Sequence, residues 1–218
     1  FFYAIGGNRD FERSFQAFAA DARGRALLRE RPSLPAVLSD RGAVSRLPDG
    51  SFGRAYLDYL EANGFEPLGL VELQERVQAR WEAEEGAAAL DPVRKWYLDR
   101  SLLCHDLEHV LTAYGTDHVG EATLLAYDLA QRPGPASALL TLGAVSEAWR
   151  NDQGLAWLRY VRRAWRRGRR AVPIETLPVE QLLALPLETV RRLVGLEPTE
   201  EAHPGGIFRG KFAPAGSA

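Results

Sequence analysis

The chain has 218 residues and a mass of 24.2 kDa, a formal net charge of −2, 46% hydrophobic residues and 26% charged residues. That balance excludes intrinsic disorder and collagen-like repeats, and suits one globular domain over 1–218 with a flexible tail from about 205. A single cysteine, Cys104, excludes an intramolecular disulfide and a cysteine-cluster zinc site, and points to a reducing compartment.

Helical periodicity runs through nearly the whole sequence and sustained period-two alternation is almost absent. The prediction is an all-α, single-domain helical bundle with short proline-broken helices toward the C-terminus. In chain order, residues 11–22 read as a helix, followed by an arginine-rich stretch that Pro32 stops after Arg31, and then a loop. Leu47, Pro48, Asp49 and Gly50 supply a turn within 41–51. Phe52, Tyr56, Tyr59 and Leu60 then place a helix over 52–63, which Gly64 ends as a left-handed cap. Residues 67–85 suit an acidic helix with Leu70, Leu73, Val77 and Trp81 on its apolar side and a solvated charged face. Asp91 and Pro92 pair as N-cap and first-turn residue of a helix over 92–114, stopped at Gly115. Gly120 opens a helix to about Gln131, Pro133, Gly134 and Pro135 break the chain, and further helices follow over 136–150 and 155–170. Pro173, Pro178 and Pro186 cut the remainder into short pieces, one of them 187–194. Short connections imply antiparallel neighbours. No stretch reaches the roughly 18–20 uninterrupted apolar residues of a membrane-spanning helix, and no export signal is visible at the N-terminus.

The chemistry concentrates in the run Cys104-His105-Asp106-Leu107-Glu108-His109. On a helix advancing about 100° per residue, His105 and His109 nearly eclipse and Asp106 lies beside them, so the three side chains can converge on one point. Glu108 falls on the other flank of His105, in a supporting or surface position. Glu121 is the better fourth donor, because Gly115 and Gly120 bracket a loop tight enough to aim the first turn of the next helix back at the histidine face. Two imidazoles and two carboxylates suit zinc, ferrous iron or manganese, and two negative charges neutralise a divalent ion. Taken alone, a histidine pair at this spacing more often serves interhelical hydrogen bonding, and that reading stands beside the metal one.

Three other motifs fit less well. A gluzincin-type protease helix has glutamate directly after the first histidine, and Asp106 is too short to act easily as that base. A phosphohydrolase built on a His-Asp doublet needs an upstream histidine, and none precedes His105. Neither Ser101 nor Ser146 sits on the glycine-flanked turn that presents a hydrolase nucleophile. His118 is a loop residue that could compete for a metal, His203 beside Pro204 reads as exposed and structurally idle, and Cys104 reads as a small buried hydrophobe.

With these residues in view, the sequence resembles a known family, the coenzyme Q (ubiquinone) biosynthesis proteins named as the fourth Coq protein. Their hallmark of His-Asp-x-x-His, eleven residues, then Glu is met by His105, Asp106, His109 and Glu121. The likeness continues in Leu47-Pro48-Asp49-Gly50-Ser51-Phe52-Gly53-Arg54-Ala55-Tyr56, in Gly168-Arg169-Arg170-Ala171 and in Pro186-Leu187-Glu188-Thr189-Val190-Arg191, and covers roughly residues 23–196. It implies a largely helical protein with zinc held by His105, Asp106, His109 and Glu121. It also implies peripheral association with a membrane and action on a polyprenylated quinone precursor. The expected location is cytoplasmic, at the inner face of that membrane. Other ubiquinone biosynthesis enzymes are candidate partners and a homodimer stays open, while the resemblance assigns no residue to the bond-breaking step itself.

Residues 150–170 hold eight arginines and one aspartate, a local +7 that leaves −9 on the rest of the chain. Leu155, Leu158, Val161 and Trp165 fall to one side of this helix and Arg159, Arg162, Arg163, Arg166 and Arg170 to the other, a basic amphipathic pattern. Together with Arg167, these arginines would each contribute about 1 kcal/mol at an anionic leaflet, and Trp157 and Trp165 suit the headgroup boundary. A core helix with a solvated arginine face is the alternative. Nucleic acid is not an expected partner, because the remainder is acidic and shows no aromatic stacking platform.

The expected function is metal-dependent decarboxylation, oxidative or not, of the ring of a polyprenylated 4-hydroxybenzoate-type intermediate. The rival is a noncatalytic lipid-binding scaffold that presents the intermediate to other enzymes, its metal merely structural. An open coordination position beside a cavity marks the first, and a closed four-ligand site the second.

Overall fold

The computed structural model describes residues 2–85, 89–150 and 154–210, and among them every regular element is helical, as the periodicity predicts. The first five helices are α1 (Phe2–Ala20), α2 (Ala22–Glu30), α3 (Leu34–Ser39), α4 (Arg41–Ser45) and α5 (Phe52–Asn63). The stretch expected as a loop after Arg31 thus holds two short helices, whose first turns are closed by Ser33 and Asp40 accepting from the backbone N–H groups of Ala36 and Ala43. Ser51 caps α5 in the same way and Gly64, at φ 66°, ends it.

Next come α6 (Gly69–Glu85), α7 (Pro92–Thr112), α8 (His118–Gln131), α9 (Pro135–Ala148) and α10 (Gly154–Arg170). α7 starts where Asp91 accepts from the Val93 and Arg94 N–H groups, and stops at Ala113, which takes the left-handed φ of 62°. From Tyr97 onward it is buried on nearly every side, with Leu103, Cys104 and Leu107 fully enclosed. α3, α5 and α6 pack on α7, while α8 lies between α7, α9 and α10. At Gly168 a β-carbon would stand 2.2 Å from the Tyr127 carbonyl oxygen, so α10 meets the backbone of α8 directly.

The apolar stripe of α6 is rotated from its expected position. Val71 and Gln74 are buried, whereas Leu73 is exposed and lines a groove together with Leu70. Helix propensity fixed the element, and the neighbouring groove fixed which leucines it leaves open.

The last elements are a 3-10 turn (Ile174–Thr176), α11 (Val179–Leu182), α12 (Leu187–Leu193) and α13 (Thr199–Ala202). They lace the chain shut. Phe52 and Gly53 donate to the Leu185 and Leu183 carbonyls, Leu187 donates to Gly50, and Arg191 reaches the carbonyls of Val110 and Leu111 at the end of α7. The segments over 47–56 and 186–191 that stood out in the sequence therefore touch one another and finish α7.

His203 is not exposed. It is 1% accessible, shares a 2.9 Å hydrogen bond with the Tyr114 hydroxyl and lies against the Tyr160 ring, and burial beside Arg167 and Arg163 pushes its pKa down to about 4. Where a tail was expected from 205, Phe208 packs on Trp157 and Tyr160 and the Gly210 N–H donates to Asp117 Oδ1 at 2.6 Å. Residues 211–218 of that expected tail lie outside the described residues.

A smaller aromatic cluster stands apart from the main core. Phe15, Phe18 and Leu27 enclose Tyr97, and Asp10 of α1 accepts from the Ala136 and Ser137 N–H groups at the start of α9.

Candidate metal centre

α7 and α8 bring three of the four expected donors together. His105 Nε2 is 3.7 Å from Glu121 Oε2, His109 Nε2 is 3.3 Å from Glu121 Oε1, and donor atoms of all three lie within 4.8 Å of one another. Asp106 stands just outside that group, because one residue beyond His105 is about 100° farther round the helix. Its carboxylate faces α5, close to Tyr59, and lines the same groove as His105 and Glu121.

The loop between the helices makes this possible. Asp117 caps α8 through the Val119 and Gly120 N–H groups, and Gly120 rests on the backbone of Gly115. A side chain at Gly120 would press on that backbone and push Glu121, the next residue, away from the histidines, whereas one at Gly115 would meet the Asp117 carboxylate. His118, in the first turn of α8, is not part of the cluster.

Both histidines are held at the nitrogen that faces away from Glu121. His109 Nδ1 is 3.0 Å from the Tyr114 carbonyl, a bond in which the ring nitrogen donates, and the Tyr59 ring stacks on His109 at 5.7 Å. His105 Nδ1 is 3.6 Å from Asp128 Oδ2. Burial disfavours charge on His105, yet the Asp128 and Glu121 carboxylates outweigh it and hold the pKa at about 10. Burial likewise works to raise the Glu121 pKa, and the two histidines bring it to about 2. The two carboxylates therefore favour positive charge on the His105 ring at this point.

A second set of groups, missed in the sequence, supports the first. Asp128 lies seven residues beyond Glu121 and so on the same face of α8; Arg132 follows one turn later. Arg132 donates to Glu108 at 3.2 Å, pairs with Asp128 at 3.3 Å and with Glu175 at 2.5 Å. Glu108 is thus a buried partner of Arg132, not a surface residue. The i, i+7 repeat of acids on α8 was the available signal, but it points nowhere until α7 is known to lie opposite.

Two apolar grooves meet at His105. The wider, about 630 Å³, runs between α5, α6, α7 and α8 past Tyr59, Phe65 and Leu73. The narrower, about 100 Å³, lies under α1 and α9 beside Tyr97, Asp128 and Arg132. Leu102, His105, Leu125 and Leu140 belong to the walls of both.

On α10, Leu155, Leu158 and Trp165 are exposed, with Arg169 over the Trp165 ring, and α9 adds exposed Leu139 and Leu142. Arg159, Arg162, Arg163 and Arg166 are exposed beside them. Arg170 is exposed and paired with Glu197. Arg167 does not face solvent. It is 2% accessible, donates to the Thr112 and Glu197 carbonyls and lies over the Tyr114 ring, because its position falls on the flank that packs toward α7. Trp157 is also buried, its indole N–H donating to Val145, so it cannot sit at a headgroup boundary.

A family model described as "Coenzyme Q (ubiquinone) biosynthesis protein Coq4" matches residues 5–200. Among curated relatives, a Bos taurus "Ubiquinone biosynthesis protein COQ4 homolog, mitochondrial" is 27% identical over 176 residues, 81% of this chain and 62% of that protein. A Yarrowia lipolytica "Ubiquinone biosynthesis protein COQ4, mitochondrial" is 29% identical over 183 residues, 81% of this chain and 63% of that protein. The chain thus spans a little over three fifths of the length of these relatives. A crystal structure of a Nostoc punctiforme protein superposes with a TM-score of 0.63 at 18% identity, over 89% of this chain and 85% of that one, and shares its fold.

Proposed function

The chain belongs to the coenzyme Q (ubiquinone) biosynthesis protein Coq4 family, and from that premise we propose that it removes the ring carboxylate from a polyprenylated 4-hydroxybenzoate-type intermediate, using a divalent metal at His105, Asp106, His109 and Glu121. One observation carries this reading: His105 stands in the wall shared by two apolar grooves. A single ligand can therefore set a polar ring at the donors and run its isoprenoid chain along Leu102, Leu125 and Leu140. His105, His109 and Glu121 meet at one point and Asp106 lines the same groove, a nitrogen and carboxylate set that suits zinc, ferrous iron or manganese. Bound there, the ion supplies positive charge beside the ring carboxylate or a phenolic oxygen.

The remaining tasks fall to the protein. The apolar walls keep water from the chain and orient the ring. Loss of carbon dioxide breaks the bond between ring carbon and carboxylate and leaves its electron pair on the ring carbon, where a proton completes the product. Tyr59, in the wider groove, holds a proton at its phenolic oxygen, kept there by burial and by the Asp106 and Glu121 carboxylates. An oxidative course would place oxygen on that carbon and needs dioxygen as co-reactant. The Glu121 side chain is 40% exposed, so the site opens onto the groove at that donor, which supports catalysis over a purely structural metal.

The test compares Asp106→Ala and Glu121→Ala protein with wild type in cells lacking their own copy, after each variant's melting temperature has been shown to be preserved. Catalysis predicts that a prenylated intermediate still bearing its carboxylate accumulates while quinone is lost. Several intermediates falling together would favour a scaffold, and normal quinone would refute the metal chemistry.

We also propose that the protein binds an anionic membrane surface through α10. No described helix is long and apolar enough to cross a membrane. The exposed leucines and Trp165 beside exposed Arg159, Arg162, Arg163 and Arg166 support surface binding instead. Replacing Arg159, Arg162, Arg163 and Arg166 by glutamine should weaken binding to anionic vesicles by about 100-fold or more at low salt, at about 1 kcal/mol per arginine. Cosedimentation that is equal on neutral and anionic vesicles would rule this out.

A further inference from the structure

Below the three donors the seam between α7 and α8 holds a second layer. His105, Glu108 and Asp128 also place donor atoms within 4.8 Å of one another. His105 belongs to both layers, its Nε2 toward Glu121 and its Nδ1 toward Asp128. By composition alone the lower layer could take a second ion. Its surroundings argue otherwise, because the Arg132 guanidinium already reaches both carboxylates and fills the place of the cation. Glu108 and Asp128 are also sealed, with side chains 1% and 5% accessible, where Glu121 is open to the groove.

We infer that Asp128, fixed by Arg132, is a positioning residue for His105: one carboxylate oxygen faces Nδ1 at 3.6 Å while the other is held at 3.3 Å by the guanidinium, so the ring is kept with Nε2 toward Glu121 and His109. At 3.6 Å the contact is longer than an ordinary hydrogen bond, and the carboxylate acts through its negative charge on the ring edge that carries Nδ1. His109 provides an internal parallel. Its Nδ1 is anchored by the Tyr114 carbonyl and its Nε2 likewise points at Glu121. Two rings on one helix are thus oriented by the same device, one using a backbone oxygen and the other a carboxylate borrowed from the facing helix. Partners of this kind fix the tautomer of a ligating histidine and raise its basicity.

This inference rests on His105 being a metal ligand, so wild type is measured first. The whole chain is purified without chelator, and zinc affinity is determined by competition with a chromophoric chelator, with cobalt absorption as the report on ligand geometry. One ion per chain in wild type is the expected starting point; no ion at all would refute the metal reading above. Asp128→Ala should then weaken zinc binding by about 10- to 100-fold and alter the cobalt spectrum, with stoichiometry unchanged. Asp128→Asn keeps the shape and an oxygen but loses the charge, and should fall between alanine and wild type. If the alanine variant does not fold, the asparagine variant decides alone. Unchanged affinity and spectrum in these variants would overturn the inference, leaving Asp128 a purely structural partner of Arg132. A second ion per chain in wild type that disappears with Asp128 would overturn it too, since the lower layer would then be a metal site.

Discussion

Replacing Arg132 by methionine should lower the melting temperature by about 10 °C, the largest loss expected from any single side chain outside the main apolar core. Arg132 is the cation of a pocket containing Glu108, Asp128 and Glu175, all with side chains no more than 5% accessible. Burial already raises the Glu108 carboxyl well above the usual range, and Arg132 opposes that rise. Removing one partner of a buried ion pair costs about 3–5 kcal/mol, because the charge left behind has neither water nor counter-ion. A further change of Glu175→Gln removes one of the stranded carboxylates and should restore part of the loss, which a double-mutant cycle measures by thermal or denaturant unfolding. A single-variant loss below about 1 kcal/mol would show that solvent reaches the pocket and that these pairs behave as surface ones.

Gly120→Ala should cost about 3 kcal/mol and most of the metal affinity together. The added β-carbon would stand 2.0 Å from the Gly115 carbonyl oxygen and 2.4 Å from its carbon, both backbone atoms that no rotamer change can move. α8 would have to withdraw from the loop, and Glu121 is the next residue on it. Gly143→Ala on α9 is the matched control. Nothing lies within 4 Å of the position its β-carbon would take, so relief of the glycine penalty should stabilise the protein by about 0.5–1 kcal/mol. Calorimetry of both variants with zinc titration separates the effects. A Gly120→Ala protein that keeps wild-type stability and metal affinity would mean that the loop can adapt without moving Glu121.

What could be read from the sequence depended on how locally each feature is determined. α5 carries its own start and stop in Ser51 and Gly64, and α7 carries its start in Asp91 and Pro92, so these boundaries fall where the pattern puts them. His105 and His109 follow from helix geometry, and the glycines flanking the loop foretell that Glu121 returns to meet them. Asp106 shows the limit of such reasoning, since a neighbour at i+1 shares the general direction but is drawn toward Tyr59 on another helix. Arg167 and His203 were misplaced for the opposite reason. Both are polar and look exposed in sequence, yet each finds its partners only through packing: the Thr112 and Glu197 carbonyls for one, the Tyr114 hydroxyl for the other. The helical period places α6 itself, but that Val71 and Gln74 are buried while Leu73 stays open follows only from the groove beside it.

The way α7 is finished sets an order on how the protein can be made. An α-helix ends in carbonyls with no partner of their own, and His109 lies in the last turn of this one. The carbonyls of Thr112, Val110 and Leu111 are satisfied by Arg167, 55 residues later, and by Arg191, 80 and 81 residues later. A chain still emerging from the ribosome carries both histidines and Glu121 well before it carries either arginine, and contacts that span so much chain form slowly. Until then these carbonyls of the final turn of α7 have only water to satisfy them. The helix end beside the donors is therefore finished only once the segment around Arg191 has been made, and not in the nascent hairpin that already contains His105, His109 and Glu121.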